Sequence, residues 1–366
     1  MNLFESEPTI HIREEIRTLP AYKQGRPAPV DAFKLSSNEN PYPTPEWVSA
    51  AMSEVNVGRY PESTSREVRE AIAQQWGCDV EEVIVGAGSV SILYQLIQAT
   101  SGPGDNIVFA WRAFEAYPWI ATVAGAEARR IPNLSDHRHD LDGMLAAIED
   151  RTRVVILCTP NNPTGTAITT AEFESFMSRV PDHVLVILDE AYAEFSHDPE
   201  VVCGKKQKGK FANLVTLRTF SKAYGLAGLR IGYGIGHRAI FTAATATAIP
   251  MVVTEQAQRA ALAVLQHRDE AMAIVTEICE RRERVWAALV DQGWDIPKPH
   301  GNFVWLPMGD NTTAANDLLE QGGIVARVFA DEGIRVTIGE EASVGRFLDA
   351  AASIVAANLH RPTSNG

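Results

Sequence analysis

The chain has 366 residues, is 45% hydrophobic, and carries a formal net charge of −13 with 22% charged residues. That length and apolar content support a large core, arranged as two domains or as one with an appendage. The negative balance speaks against nucleic acid or an anionic membrane surface as a partner of the whole chain.

No apolar run approaches the roughly 20 residues that span a bilayer, so no membrane partner is expected. Residues 1–8 are acidic and lack the apolar centre of a secretion signal. Cys78, Cys158, Cys203 and Cys279 show neither C-x-x-C nor disulfide spacing, which points to a reduced, cytoplasmic setting. His and Cys never cluster at metal-ligand spacing, so no metal is expected.

From residue 83 onward, short apolar runs end in polar or glycine-rich loops. A run at 83–85 leads into Gly86-Ala-Gly-Ser89 and an amphipathic stretch over 90–100. A run at 107–109 precedes Trp111-Arg-Ala-Phe-Glu-Ala-Tyr117. Runs at 154–158, 184–188 and 214–217 lead into Thr159-Pro-Asn-Asn-Pro-Thr-Gly165, Asp189-Glu-Ala-Tyr192 and the segment 218–234. Continuous β-branched runs mark strands buried on both faces. Helical patterns between several of them, such as 170–179, predict an α/β fold with a mainly parallel sheet flanked by helices.

The basic run Gly204-Lys-Lys-Gln-Lys-Gly-Lys210 has the glycine spacing of a P-loop. Phe211 stands where the hydroxyl belongs and a strand follows instead of precedes, so the run reads as a solvated loop. After residue 250 the texture changes. Residues 254–292 read as one or two helices. Strands at 302–306, 323–327 and 333–338 and a helix over 342–359 complete a smaller α+β unit. The expected division is an arm at 1–33 belonging to the small domain, a large cofactor-binding domain at 34–250 and the small domain at 251–366.

In parallel sheets ligands sit beyond the carboxyl ends of the strands. The polar motifs all fall there, which argues for one shared site. Its centre is Lys222, placed between Thr219 and Ser221 with Arg230 further on. A lysine amine forms a Schiff base with an aldehyde, and its pKa falls when it is desolvated or near other cations. Hydroxyls and a guanidinium bind phosphate. An aldehyde that carries a phosphate is pyridoxal 5′-phosphate (PLP).

PLP needs a carboxylate at its pyridine nitrogen, and Asp189 fits, although alone it reads equally as a helix N-cap. Asn162 and Tyr192 fit as donors to the ring oxygen; on their own they are turn chemistry and a core tyrosine. Phe114 is the candidate to stack on the ring, in a place where aromatics more often pack in a core. Backbone amides at Gly86-Ala-Gly-Ser89, at the start of a helix, fit the phosphate. That run alone also allows a dinucleotide, but its third glycine is replaced by Ser91 and no other nicotinamide feature appears.

The ordered motifs Ser-Asn-Glu-Asn-Pro (37–41), Arg-Tyr-Pro (59–61), Gly-Ala-Gly-Ser (86–89), Pro-Asn-Asn-Pro-Thr-Gly (160–165), Asp-Glu-Ala-Tyr (189–192), Ser-Lys-Ala-Tyr-Gly-Leu-Ala-Gly-Leu-Arg (221–230), Asn-Phe-Val (302–304) and Arg-Val-Thr-Ile-Gly (335–339) resemble the fold-type I PLP-dependent aminotransferases. The likeness covers nearly the whole chain and is strongest to the histidinol-phosphate aminotransferase branch. It implies Lys222 as the Schiff-base lysine and the base of a ping-pong cycle whose small-molecule partners are an amino acid and a 2-oxo acid. It implies Ser89, Val90, Thr219, Ser221 and Arg230 on the phosphate, and Tyr60 reaching the neighbouring subunit's phosphate in a homodimer with shared sites. Arg335 would bind the substrate carboxylate and Tyr22, on the N-terminal arm, would cover the substrate, with Asn40, Asn162 and Arg327 also at the substrate.

Val90-Ser91 stands where histidinol-phosphate members usually carry Asp-Glu. Residues 88–91 and 111–118 resemble actinobacterial proteins assigned as aromatic (phenylalanine) aminotransferases. The expectation is transamination of an aromatic amino acid with 2-oxoglutarate. Histidinol-phosphate transamination, with Arg327 and Arg335 both serving the phosphate, is the alternative. A PLP-dependent decarboxylase of an amino-acid phosphate and a non-catalytic PLP-sensing module are more remote readings.

Overall fold

In the computed structural model, residues 10–20 and 27–361 are described. They contain the strands β1 (Phe33–Leu35), β2 (Val83–Gly86), β3 (Asn106–Trp111), β4 (Glu127–Pro132), β5 (Thr152–Cys158), β6 (Leu185–Asp189), β7 (Leu214–Thr219), β8 (Gly232–Ile235), β9 (Phe303–Pro307), β10 (Ile324–Phe329) and β11 (Gly333–Thr337). Seven of these form one sheet in the order β2-β8-β7-β6-β5-β3-β4. Its strands pair in parallel except β8, which is antiparallel to both β7 and β2.

Side chains of β5 alternate between two cores: Val154 and Ile156 on one face, Val155 and Leu157 on the other. Both faces are covered, so no position needs to be polar, and the sequence shows an unbroken apolar run. Helix Thr170–Met177 packs on one face through Phe173 and Phe176. A capping box starts it: Glu172 N donates to Thr169 Oγ1 and Thr169 N donates to Glu172 Oε2. Such a cap contributes about 1 kcal/mol.

The second sheet has the order β1-β10-β11-β9, with β1 parallel to β10 and the other pairs antiparallel. Strand β1 crosses the division expected between residues 33 and 34, and all of it adds to this sheet. The stretch 254–292 resolves into two helices, Glu255–Gln266 and Arg268–Asp291.

Three strands had no clear signal. β1 is three residues long and finds its partner almost 300 residues later. β4 is an edge strand in which Glu127 and Arg130 are exposed and Arg129 is half-buried, so apolar patterning is absent; charges on an edge also deter pairing with another chain. β8 looks like a loop because of Gly232 and Gly234. Gly232 is required by packing: a Cβ there would lie 2.3 Å from the Ser89 amide nitrogen.

The basic run at 204–210 needs correction. Residues Gly204–Gln207 form a short helix, and Gly204 and Gln207 are buried. The Gly204 amide donates to Glu190 Oε1 at 2.7 Å, so a buried carboxylate holds the start of a run that composition alone made look solvated. The four cysteines are unpaired. Among the described residues no helix is long and apolar enough to cross a membrane, and no His, Cys, Asp and Glu cluster could hold a metal.

Candidate active site

The loops after β2, β3, β5, β6 and β7 converge on a cavity of about 700 Å³, closed on its other side by β10 and β11. Lys222 lines it. Its Nζ donates to the Ser37 carbonyl at 2.9 Å and lies 5.9 Å from the centre of the Tyr192 ring. Desolvation, with the Arg335 cation as the next cause, pulls the ammonium pKa down to about 7. An amine that is partly neutral near neutral pH is a nucleophile and a base; an ordinary surface lysine is neither.

Behind the lysine, Asp189 ends β6. Tyr117 Oη donates to its Oδ2 at 2.7 Å, and the Ala191 amide approaches Oδ1 at 3.3 Å. Burial raises the Asp189 pKa, and the Tyr117 hydrogen bond opposes that rise. A buried carboxylate with no cation acting on it among the described residues suits a cationic ring nitrogen. Tyr192 accepts from Asn38 Nδ2 at 3.0 Å, and burial pushes its phenol up to about 12, which keeps it a donor.

A second cluster fits a phosphate. Helix Ser89–Thr100 begins at Gly88, which has φ of 78° and offers no capping side chain, so first-turn amides face the cavity end. Arg230 adopts a left-handed backbone (φ 53°) that non-glycine residues rarely take. This brings its Nη1 to Ser221 Oγ at 3.2 Å and its Nη2 so close to Gly88 that a Cβ there would stand 2.9 Å from it. Thr219 Oγ1 accepts from the Ser221 amide at 3.0 Å. Helix N-terminus, guanidinium and two hydroxyls surround one corner, and the amine and carboxylate lie beyond it. The residues therefore fit an aromatic aldehyde phosphate.

The opposite wall comes from the second sheet. Arg327 on β10 and Arg335 on β11 are direct cross-strand partners. Arg335 is buried; its Nη1 donates to Asn162 Oδ1 at 2.5 Å and its Nη2 to the Ser36 carbonyl at 2.6 Å. Arg327 is more outward and donates to Glu115 Oε2 from Nη2 at 2.6 Å and from Nε at 3.2 Å. Val90, Leu93 and Phe114 add apolar surface.

Thus Ser89, Val90, Phe114, Asn162, Asp189, Tyr192, Thr219, Ser221, Lys222, Arg230, Arg327 and Arg335 all line one cavity. Tyr22 lies outside the described residues. Two other expected residues do not line the cavity. Tyr60 is 85% exposed on this chain. Asn40 has its amide engaged nearby, with Nδ2 donating to the Ala223 carbonyl and Oδ1 accepting from the Tyr42 amide.

Residues that sequence reading did not single out complete the site. Asn38, in a left-handed conformation, ties Tyr192 to Thr337 and accepts from Asn302 at its carbonyl. Its place in the Ser-Asn-Glu-Asn-Pro motif was the available signal. Arg218 is sandwiched between Glu190 (2.7 Å) and Glu194 (2.9 Å), all three nearly buried, and fastens the ends of β6 and β7 beside Asp189 and Thr219. Removing one member of a buried ionic cluster costs about 3–5 kcal/mol.

The chain belongs to the class I and II aminotransferases, whose family model matches residues 30–350. It is 47% identical over 350 residues to the aromatic amino acid aminotransferase of Streptomyces coelicolor, covering 94% of this chain and 97% of that one. It is 44% identical over 341 residues to the protein of that name from Corynebacterium glutamicum, covering 93% and 98%. Its fold is similar to that of histidinol-phosphate aminotransferase from Sinorhizobium meliloti in complex with pyridoxal 5′-phosphate, with a TM-score of 0.85, 22% identity, and coverage of 97% and 100%.

Proposed function

We propose that this aminotransferase moves the amino group of phenylalanine or tyrosine to 2-oxoglutarate in a ping-pong cycle, with PLP held by Lys222, and works as a cytoplasmic homodimer. The observation that carries the reading is a single cavity holding a lysine with its pKa lowered to about 7, a buried arginine at Arg335 and an apolar surface from Val90, Leu93 and Phe114. The names of relatives at 44–47% identity agree with it.

Bound there, PLP would supply a carbonyl carbon for the amine and a protonated ring that accepts electrons from the substrate α-carbon. Ser89 and Val90 amides, Thr219, Ser221 and Arg230 would hold its phosphate. Asp189 would keep a proton on the ring nitrogen. Asn162 and Tyr192 would donate to the ring oxygen, and Phe114 would pack on the ring face. Arg335 would take the substrate carboxylate with its guanidinium fork. Lys222 Nζ, once free of the cofactor, would remove the α-proton and return it on the other side of the exchange. Tyr60, exposed on one chain, would reach the partner's phosphate, and Asn40 and Tyr22 would border the substrate.

The test compares kcat/KM for phenylalanine, tyrosine and histidinol phosphate, with 2-oxoglutarate as acceptor. The expected order puts the aromatic amino acids first. A preference for histidinol phosphate would replace this reading with the alternative, and carbon dioxide release without an acceptor would replace it with a decarboxylase.

A further inference from the structure

The loop after β5 is held by residues outside the cavity lining. Asn161 is fully buried, and its Nδ2 donates to the Arg112 carbonyl at 3.1 Å and to Thr164 Oγ1 at 2.8 Å. Its backbone closes the loop: the Asn161 amide donates to the Thr166 carbonyl at 2.7 Å, and the Gly165 amide donates to the Asn161 carbonyl at 2.8 Å. Asn133 Nδ2 donates to the same Arg112 carbonyl at 2.8 Å. Asn161 thus ties the loop that carries Asn162 to the loop that carries Arg112 and Phe114.

The segment that carries His139 packs against this loop, where Thr166 Oγ1 donates to the His137 carbonyl at 3.1 Å. His139 is buried, 7% exposed, and does not line the cavity. Burial pulls its pKa down to about 4, and a hydrogen bond with the Asn161 side chain opposes that fall. Among the described residues neither ring nitrogen of His139, nor Asn161 Oδ1, has any other hydrogen-bond partner. A buried imidazole held neutral carries one N–H, and a buried donor without an acceptor is costly. Asn161 Nδ2 has already committed both of its hydrogens, so Oδ1 is the atom it offers and His139 is the donor.

We propose that His139 is a positioning residue: it donates to Asn161 Oδ1, fixes the orientation of that amide, and so aims Asn162 at the ring oxygen of the cofactor. This deepens the cofactor reading above and rests on it. If the Asn161 amide turned over, its oxygen would face the Arg112 carbonyl, oxygen against oxygen, and the tie between the two loops would be lost. A donor at Oδ1 selects the other orientation. The next residue, Asn162, lines the cavity and accepts from Arg335 Nη1 at its Oδ1. Its Nδ2 is then the end that donates to a ring oxygen, and a donor there stabilises negative charge on that oxygen. Misdirecting Asn162 weakens that stabilisation and raises the pH at which the bound cofactor gives up its proton.

The experiment titrates the absorbance band of the PLP-loaded enzyme with pH and reads its midpoint, together with kcat and KM for the amino donor. His139→Phe keeps a ring and removes the donor. Its midpoint is expected to rise by about 0.5–1 pH, and kcat to fall about tenfold with KM changed by less than about twofold. His139→Asn and His139→Gln return an amide donor in place of Nδ1 and Nε2, and one of them is expected to restore the midpoint. Asn161→Ala removes the acceptor and should give the same rise, with no further rise when it is combined with His139→Phe. A midpoint that stays in place in His139→Phe overturns the proposal, as do rises that add in the double variant or failure of both amide variants to restore it. If melting curves show that His139→Phe does not fold, an unmoved midpoint in Asn161→Ala overturns it alone. Asn162→Ala separates this proposal from the reading beneath it. A midpoint that ignores Asn162→Ala removes Asn162 from the ring oxygen, whereas one moved by Asn162→Ala but not by His139→Phe rejects His139 alone.

Discussion

The two walls of the cavity are built in different ways. The wall from the large sheet holds its groups at strand ends and fixes each by short-range backbone geometry or a buried partner: Asp189 by Tyr117, Ser221 by Thr219, and Arg230 by its own left-handed backbone. The wall from the small sheet presents two arginines from adjacent strands, Arg335 donating to an amide oxygen and a backbone carbonyl and Arg327 donating to the Glu115 carboxylate. A cofactor that stays through every cycle suits the first construction. Substrates that come and go suit the second, where a change of one neighbour alters charge without disturbing the frame.

Substitutions on the two walls should therefore fail differently. The largest effect belongs to Lys222→Ala, expected to lower kcat by about 10⁴-fold or more for every amino donor alike. Turnover near the wild-type rate in steady-state assays would remove Lys222 from its role. Arg335→Ala should cost about 2–5 kcal/mol of transition-state binding for carboxylate substrates. Comparing kcat/KM for phenylalanine with that for phenethylamine checks this. An equal loss for the amine, which has no carboxylate, would contradict the assignment.

Tyr117→Phe tests the large-sheet wall more gently. Asp189 loses the donor that opposes its burial, so its already raised pKa climbs further. A protonated Asp189 cannot stabilise a cationic ring nitrogen, so the acid limb of kcat/KM should move to higher pH, with turnover near pH 7 reduced about tenfold. A limb that stays in place would separate Tyr117 from Asp189.

The smallest effect is a pH profile on the cofactor-free chain. Lys222 has a pKa of about 7 against an ordinary 10.5, so its capture of PLP should accelerate as pH rises through 7 and then level off. Absorbance at the bound-cofactor band measures it, and a rate still climbing at pH 10 would refute the shift. The same displacement means the unfolded chain binds the extra proton between those values. The cofactor-free protein should therefore gain stability as pH rises across that window.

Much of the large-sheet wall was legible because its signals are local. Buried strands leave unbroken apolar runs, and the residue that follows each run is placed by the strand itself, as with Asp189, Asn162 and Lys222. What escaped reading depends on contacts across long stretches of chain. Tyr117 meets Asp189 across 72 residues, Glu115 meets Arg327 across 212, and Asn38 meets Thr337 across 299. Nothing in the neighbourhood of Glu115 distinguishes a helix-start carboxylate from a charge directed into a cavity. Arg335 and Arg327 were placed through family resemblance; their partners Asn162 and Glu115 lie 173 and 212 residues away in the chain. Strand β8 was hidden for another reason: the glycine that lets β8 approach the Ser89 amide is also the usual mark of a loop.

Strand β1 and Asn38 have a consequence for synthesis. The lysine amine rests on the Ser37 carbonyl, and Ser37 is flanked by β1 and by Asn38, which are held by β10 and by Thr337 near the carboxyl end. A ribosome releasing the chain from its N-terminus will have emitted every strand of the large sheet well before these partners emerge. Contacts of such high sequence separation form late and slowly. The newborn chain is thus expected to pass through a stage in which the strand ends of the large sheet can be folded while the lysine's resting contact, Arg327 and Arg335 are still missing.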